Sequence, residues 1–222
     1  MSSEPEPWTA NAHYRRVILE AVPDGCERAL DVGCGTGALT RELRGIVPGV
    51  VGIDQDKRSL ELARAHPAAG DIEYLLGDFL TFPFQPASFD LITSVASLHH
   101  MDARAALVRT RDLLRPRWAV AVIGLARSSS PLDLALHGAA VIGRTILRRP
   151  HGTGQHGTAA MGQHGSYDPP IVWPPRATYT QMRELSEAVL PGVRYRRHVF
   201  WRYSLVWVKP QDRGAAPAGG SR

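Results

Sequence analysis

The chain has little cysteine and no long apolar run. Its 222 residues include only Cys26 and Cys34, too few for a disulfide framework and without the C-x-x-C spacing of zinc sites. The longest apolar stretch, 132–147, is interrupted by charged side chains such as Asp133 and Arg144, so we expect no membrane span. The N-terminal segment carries acidic residues and prolines where a secretory signal would have an apolar core. These absences together predict a cytoplasmic protein.

Lysine is scarce as well, although the chain is basic. The formal net charge is +5, and 26 residues are Lys or Arg, yet the only lysines are Lys57 and Lys209. The arginines are spread along the chain, often beside Asp or Glu, which is typical of a solvated surface. We therefore expect no nucleic-acid partner. Two local clusters, Arg148–Arg149 and 194–197, are the exceptions.

The composition, 44% hydrophobic and 21% charged, excludes disorder of the whole chain and suits one domain of this length. Apolar runs alternate with helical patterns, which predicts a mainly parallel sheet covered by helices. Strands are predicted over 28–33, 50–54, 72–75, 89–94 and 118–124, a terminal hairpin over 195–200 and 204–208, and helices over 9–22, 38–47, 58–65, 103–114 and 180–189.

We divide the chain into a single domain, 1–210, and a Gly/Ala/Pro/Ser-rich tail, 211–222, that is predicted to be disordered. Within the domain we predict four parts: an N-terminal helix or cap, a cofactor-binding core, an insertion or lid over the acceptor site, and a C-terminal helix with its hairpin. Their predicted boundaries are 1–25, 29–125, 126–176 and 177–210.

A glycine-rich loop connects the first predicted strand to the next helix. It reads Asp31-Val-Gly-Cys-Gly-Thr-Gly37. Glycines let the backbone approach a ligand closely, and the following helix N-terminus favours anions. Gly33-x-Gly35-x-x-Ala38 also fits the dinucleotide fingerprint, with Asp54 about 20 residues downstream. The loop alone therefore leaves a nicotinamide-dependent oxidoreductase open.

Acidic residues favour a different ligand. Asp31 lies before the first glycine, where a carboxylate suits an ammonium group better than a pyrophosphate. Gly77-Asp78 provides a second acidic position after the third strand. Several motifs in this order resemble those of class I S-adenosylmethionine-dependent methyltransferases: Ala29-Leu-Asp-Val-Gly-Cys-Gly-Thr-Gly, Gly52-Ile-Asp54, Gly77-Asp78, Ser88-Phe-Asp90, Ser97-Leu-His-His100 and Leu114-Arg-Pro116.

The resemblance implies an α/β fold: a Rossmann-like, doubly wound, seven-stranded sheet, mostly parallel, with a C-terminal antiparallel hairpin. It implies that S-adenosylmethionine is the methyl donor and binds over the carboxyl ends of the first strands. The residues that it assigns to the cofactor are Asp31, Gly33, Cys34, Gly35, Thr36, Gly37, Asp54, Gln55, Asp78, Phe79, Ser94 and Tyr14.

The resemblance gives each of these residues a role. Asp31 and the glycine backbone hold the methionyl part, and Asp54 accepts from the ribose hydroxyls. Gln55, Asp78 and Phe79 lie at the adenine, Ser94 borders the methionyl end, and Tyr14 donates to the methionyl carboxylate. This chain departs from the family pattern at Pro116-Arg-Trp118 and at Val95, where relatives often have Pro-Gly-Gly and Asn, so the acceptor side is the less defined one.

His99 and His100 are the candidate catalytic residues, because imidazole titrates near neutral pH and both follow the fourth strand. The alternative is that one of them caps or packs against the helix near Asp102. For Tyr14, with Trp8 and His13, the alternative is an aromatic staple for the first helix.

The segment 149–175 is rich in His, Gly and Pro, and we interpret it as part of a lid over the acceptor. His151, His156 and His164 have only Asp168 nearby as a further ligand, so we expect no metal site. Ser94-Val-Ala-Ser97 stands where methyltransferases of nucleobase amines have Asp-Pro-Pro-Tyr, which disfavours such an acceptor.

We therefore predict a methyltransferase that acts on an O, N or C atom of a small organic molecule. The alternatives are the oxidoreductase, a non-catalytic S-adenosylmethionine-binding regulator, or a nucleic-acid binder that uses the arginine clusters. The sequence leaves the acceptor and the oligomeric state open.

Overall fold

The computed structural model describes residues 10–128 and 175–211, with side chains from Tyr14 onward. Most of the predicted insertion and nearly all of the predicted tail lie outside these ranges. The elements in chain order are α1 (Ala10–Leu19), β1 (Arg28–Val32), α2 (Ala38–Arg44), β2 (Gly49–Asp54), α3 (Lys57–Ala65), β3 (Glu73–Leu76), β4 (Phe89–Val95), a 3₁₀ turn (Leu98–His100), α4 (Ala103–Leu113), β5 (Leu114–Leu125), α5 (Tyr179–Val189), β6 (Arg194–Arg197) and β7 (Arg202–Val208).

The strands form one seven-stranded sheet in the order β3-β2-β1-β4-β5-β7-β6. Strands β1 to β5 are parallel, whereas β7 is antiparallel to both β5 and β6. This architecture confirms the predicted Rossmann-like sheet with its terminal hairpin. The strand order reverses direction between β1 and β4, and ligands of such sheets bind at the carboxyl ends of the strands on either side of this point.

The central strands are buried on both faces, as expected for a parallel sheet between helices. In β1, Leu30 packs into the cluster that includes α4 and α5, whereas Ala29 packs into the cluster beneath α1 and α2. Both side chains are 0% exposed. A fully buried aliphatic side chain contributes about 1.5–3 kcal/mol, so these alternating faces fix the register of the strand.

Two predicted strand boundaries differ from the structure by three residues or more. Strand β5 begins at Leu114, not at residue 118, because its pairing with β4 starts early and then shifts register between Phe89 and Leu91. The predicted strand 195–200 ends at Arg197. Residues 198–201 form the hairpin turn, in which Phe200 and Trp201 have positive φ angles of 60° and 58°, as type I′ turns require.

No helix among residues 10–128 and 175–211 is long and apolar enough to cross a membrane.

Candidate functional site

The glycine-rich loop is fastened to the neighbouring strand β2. The backbone N–H groups of Gly33 and Cys34 both donate to the carbonyl of Ile53, at 2.8 and 3.1 Å. The Cys34 side chain is 9% exposed and packs with Leu60 and Tyr74. Burial raises the pKa of its thiol, and the nearby carboxylates add to this effect. Cys34 therefore presents only its backbone to a ligand at the loop.

The three glycines of the loop have different surroundings. All have positive φ angles, +70° at Gly33, +53° at Gly35 and +77° at Gly37. A Cβ at Gly33 would lie 2.3 Å from the Ser97 Cβ, and one at Gly37 would lie 2.3 Å from the Tyr74 hydroxyl. At Gly35 a Cβ would meet nothing within 4 Å. The loop is thus closely packed at both ends and open in the middle, where a ligand can approach the backbone.

The Asp54 carboxylate lies directly at this opening, at the end of β2. Its Oδ2 accepts from the Gly35 N–H at 2.7 Å, and its Oδ1 accepts from the Asp56 N–H at 2.9 Å. A carboxylate offers about four lone-pair positions, so both oxygens keep capacity for hydroxyl donors. Because Asp54 also tethers Gly35, it sets the shape of the loop as well as its charge.

Asp31 lies beneath the loop and is 2% exposed. Its carboxylate accepts from the hydroxyls of Thr40, at 2.8 Å, and Thr93, at 3.1 Å. Burial raises the pKa of Asp31 to about 6, the two hydroxyls act to lower it, and Asp54 raises it. Arg15, from α1, also lowers this pKa. At neutral pH the group is largely ionised, so negative charge underlies the loop.

The third acidic position is built differently. Asp78 is half-buried and accepts from the Leu80 N–H at 2.9 Å. The neighbouring Phe79 ring is 3% exposed and belongs to the hydrophobic core, where the Arg109 guanidinium lies 5.7 Å from its centroid. Gln55 is exposed. The side chains at the predicted adenine position are therefore Asp78 and Gln55, whereas Phe79 presents only its backbone there.

Thr36, at the tip of the loop, is exposed. Its carbonyl accepts from the Arg41 guanidinium at 2.7 Å. This bond restrains the exposed part of the loop against the first turn of α2.

The loop after β4 is held between β1 and β5. Ser97 donates to the Val32 carbonyl at 2.8 Å, and the hydroxyls of Ser94 and Ser97 lie 2.5 Å apart. Ala96 has a φ of +54°, and its N–H donates to the Ile123 carbonyl at 2.7 Å. Ser97 was absent from the predicted site, although it fills the space above Gly33. Its only sequence signal was its place in the motif before the histidines.

The two candidate catalytic histidines form the 3₁₀ turn that follows. Their ring centroids are 4.0 Å apart. Burial lowers the pKa of His99 to about 4, with smaller contributions from His100 and Arg202. Burial also lowers the pKa of His100, against the opposing effect of Asp54. The Nδ1 atom of His99 is buried and has no hydrogen-bond partner in the described part of the chain.

The alternative that a histidine caps the following helix is wrong. The Asp102 carboxylate is the cap of α4 and accepts from the Ala105 N–H at 2.8 Å. The histidine pair is thus not required for ending or starting that helix. Its charge environment includes both sides of the site, because Asp54 of the glycine loop raises the pKa of His100 and Arg202 of the hairpin lowers that of His99.

The hairpin turn reaches this edge of the sheet because β7 runs antiparallel to β5. Arg202, at the start of β7, pairs with Leu125 at the carboxyl end of β5. The Ala126 N–H donates to the Trp201 carbonyl at 3.0 Å. Arg202 donates to the Phe200 carbonyl at 2.8 Å, and burial lowers the pKa of its guanidinium. Sequence reasoning missed Arg202 as a site neighbour, since only the strand pairing places it there.

The first helix contacts the same turn. The Tyr14 hydroxyl donates to the Val199 carbonyl at 3.4 Å, and its ring centroid lies 4.7 Å from that of His198. Tyr14 is 6% exposed, and burial raises its pKa. Trp8, which shares the staple alternative with Tyr14, lies outside the described residues. Tyr14 therefore joins the N-terminal helix to the C-terminal hairpin at the edge of the sheet.

Among residues 10–128 and 175–211, no group of three or more His, Cys, Asp or Glu side chains could hold a metal ion. The tract with His151, His156, His164 and Asp168 lies outside those ranges, as does the Arg148–Arg149 cluster.

Comparisons with known proteins agree with this arrangement. The model of a methyltransferase domain family matches residues 29–117. An uncharacterized methyltransferase of Mycobacterium tuberculosis is 33% identical over 206 residues, which cover 92% of this chain and 98% of the relative. An O-methyltransferase of Penicillium expansum is 40% identical over 108 residues, 46% of this chain and 39% of that protein.

Among solved structures, the YcgJ protein of a Bacillus species has a similar fold. The match has a TM-score of 0.59 at 18% identity and covers 83% of this chain and 70% of that one. The chain belongs to the class I S-adenosylmethionine-dependent methyltransferases. It is a methyl-transferring enzyme, and this assignment removes the oxidoreductase alternative.

Proposed function

We propose that this enzyme binds S-adenosylmethionine across the carboxyl ends of β1, β2 and β3 and transfers the methyl group to an oxygen of a small organic acceptor. The observation that supports this most directly is the open space above Gly35, bordered by Asp54 and followed by the His99–His100 pair. The oxygen acceptor is supported by the O-methyltransferase relative.

The residues at the loop fit this donor. We assign the methionyl part to the backbone of 33–37 and to Asp31, whose largely ionised carboxylate lies beneath the loop and attracts an ammonium group. Ser94 and Tyr14 border this end. The backbone of Cys34 and Thr36 completes the loop, since the Cys34 thiol faces the core.

We assign the nucleoside to the acidic strand ends. The two Asp54 oxygens accept from the ribose hydroxyls with the lone pairs that Gly35 and Asp56 leave free. Asp78 accepts from the adenine amino group, Gln55 lies against the base, and Phe79 contributes its backbone. A dinucleotide would bring a pyrophosphate close to the Asp31 carboxylate, which disfavours it.

S-adenosylmethionine, when bound, supplies a methyl group on a positively charged sulfur that a nucleophile takes by in-line displacement. The chain has to orient the acceptor and remove its proton. His99 is neutral at pH 7, because burial lowers its pKa to about 4. Its Nδ1 is buried without a hydrogen-bond partner in the described part of the chain. A hydroxyl group of the methyl acceptor could donate a hydrogen bond to this nitrogen. We assign His99 as the general base. We place His100 beside it, on the side of the S-adenosylmethionine site.

The acceptor side is formed by parts of the chain that are distant in sequence. Tyr14 from α1 and His198 from the hairpin turn are in ring contact, and the turn extends to Arg202. We propose that residues 126–176 complete this pocket and that the four predicted parts of 1–210 form one methyltransferase domain.

Calorimetry tests the donor assignment. We expect S-adenosylmethionine and its demethylated product to bind, and NAD not to bind. Binding of NAD without a response to the methyl donor would overturn the proposal. Mass spectrometry of small molecules released from the purified protein, followed by turnover assays on those molecules, then identifies the acceptor. Methylation found only on nitrogen or carbon would refute the oxygen assignment but not the donor assignment.

A further inference from the structure

The outer edge of the sheet carries a groove that the methyl-transfer site does not use. It lies between α5 and β6, the last strand in the sheet order, and has a volume of about 570 Å³. We call it the edge groove. The residues that line it are Arg183, Glu187, Val193, Arg194, Tyr195, Arg196 and Arg197.

The edge groove is strongly cationic. Four of its lining residues are arginines and one is a glutamate, and that glutamate, Glu187, is paired with Arg183 at 2.8 Å. The Arg197 guanidinium lies 4.4 Å from the centroid of the Tyr179 ring. Arg194 and Arg196 are exposed, and their guanidinium groups form no hydrogen bond or ion pair with the residues that the structure describes. Their charges face solvent along the edge.

The backbone of this edge is also available. Strand β6 pairs with β7 on one side, and within the described ranges no strand pairs with its other side. Such an edge presents a row of N–H and C=O groups that can accept an added strand. Directional backbone groups and a row of guanidinium groups therefore occur together over 194–197.

The features of the edge groove indicate its occupant. A second copy of this chain would bring the same arginines against each other, and like charges in contact disfavour that pairing. A small phosphorylated ligand would use the arginines but would leave the unpaired backbone groups of β6 without partners. An extended acidic segment satisfies both the free backbone and the arginines.

We propose that the edge groove binds an extended acidic segment of a partner protein, which adds as a strand to β6 and pairs its carboxylates with Arg194 and Arg196. The inference stands apart from the assignment of the methyl acceptor, because the lining residues are not those of the glycine loop or the histidine pair.

The test uses the full chain and a fluorescent peptide of alternating Glu and Thr, with Gln in place of Glu in a matched control peptide. Fluorescence anisotropy is expected to show binding of the Glu peptide at least about tenfold tighter than binding of the Gln peptide. Arg194→Glu combined with Arg196→Glu is expected to weaken it at least about tenfold. Hydrogen exchange should show new protection at the amides of 194–197.

Arg58→Glu combined with Arg104→Glu is the matched control, since it lowers the net charge by the same amount at exposed arginines elsewhere. We expect this control to change the affinity less than about twofold. Equal weakening by both double variants, or equally tight competition by heparin, would show general polyanion adsorption and overturn the proposal. Absence of peptide binding, or binding without protection of β6, would overturn it as well.

Discussion

The ligand-binding end of the sheet, where the strands β1 to β5 finish, has two halves that are built in different ways. The half at β1, β2 and β4, which we call the donor half, consists of glycines, carboxylates and hydroxyls that bond mainly to backbone or to each other, as in the Gly35–Asp54 contact. The half at β5 and β7, which we call the acceptor half, consists of aromatic and basic side chains from opposite ends of the chain. Tyr14 and Val199, which share a hydrogen bond, are 185 positions apart.

The difference shows how each half can vary. The donor half depends on backbone conformation, since positive φ angles and absent Cβ atoms define its loop. Few substitutions are compatible with it. The proposed acceptor half depends on side chains from the hairpin turn, the 3₁₀ turn and α1, which are brought together by the tertiary structure.

The largest expected effect is in the packed end of the donor loop. Gly33→Ala places a Cβ 2.3 Å from that of Ser97 at a φ of +70°. We expect a loss of about 3 kcal/mol in the free energy of unfolding, from overpacking and left-handed strain combined. Urea unfolding measures it. Gly25→Ala, with a φ of +74° and open surroundings, is the control and should lose only about 1 kcal/mol. Equal losses would mean that Ser97 does not constrain the loop.

The next effect lies where the two halves meet. His99→Ala removes the assigned base and should lower kcat about 100-fold, measured with the acceptor that mass spectrometry identifies. The affinity for S-adenosylmethionine should stay within about twofold, because the donor half is intact. Since the pKa of His99 is about 4, wild-type activity should fall as the pH falls through that value. His66→Ala is the control at an exposed histidine. An unchanged kcat would leave alignment alone as the mechanism.

A smaller effect is expected at the open end of the donor loop. Asp54→Ala removes the assigned ribose acceptor and the tether of Gly35. We expect S-adenosylmethionine to bind about 30-fold more weakly, equivalent to about 2 kcal/mol. Calorimetry compares this variant with Asp71→Ala, which removes an exposed carboxylate on the surface. Wild-type affinity in the Asp54 variant would refute the ribose assignment.

The last effect is a dependence of stability on pH, and it concerns the buried carboxylate under the loop. Burial raises the pKa of Asp31 to about 6 from 3.8, so its contribution to stability is complete below about pH 4 and is lost as the pH rises through 6. Asp31→Asn removes this loss. Relative to the wild type, the variant should therefore gain about 3 kcal/mol between pH 4 and pH 7.

Urea unfolding at several pH values tests this prediction. Asp71→Asn is a control of opposite sign, because Arg44 holds the pKa of Asp71 below its usual value. Its ionised form stabilises the fold above the ordinary pKa of 3.8, so this variant should be less stable than the wild type by an amount that stays constant from pH 4 to pH 7 and shrinks as the pH falls further. A flat difference for Asp31→Asn would mean that the threonine hydroxyls fully offset its burial.

Most of the fold could be predicted from the sequence. The alternation of apolar runs and helical patterns located the strands β1 to β5 to within a few residues, because both faces of a central strand have to be apolar. The start of β5 was placed four residues too late, since the register shift against β4 has no sequence pattern of its own. Most of the hairpin turn was absorbed into the predicted strand 195–200, because Val199 and Phe200 are typical strand residues, although Phe200 here adopts a positive φ angle.

The sequence by itself determined the class of enzyme and the donor motifs, because a glycine loop and acidic strand ends are local features in which spacing and residue type carry the chemistry. Only the tertiary structure decided what surrounds them. It placed Ser97 over Gly33, turned Phe79 into the core, brought Tyr14 to the hairpin turn and placed Arg202 where it acts on His99. Such contacts depend on strand order and on the reversal of β7, and neither leaves a signal in neighbouring residues.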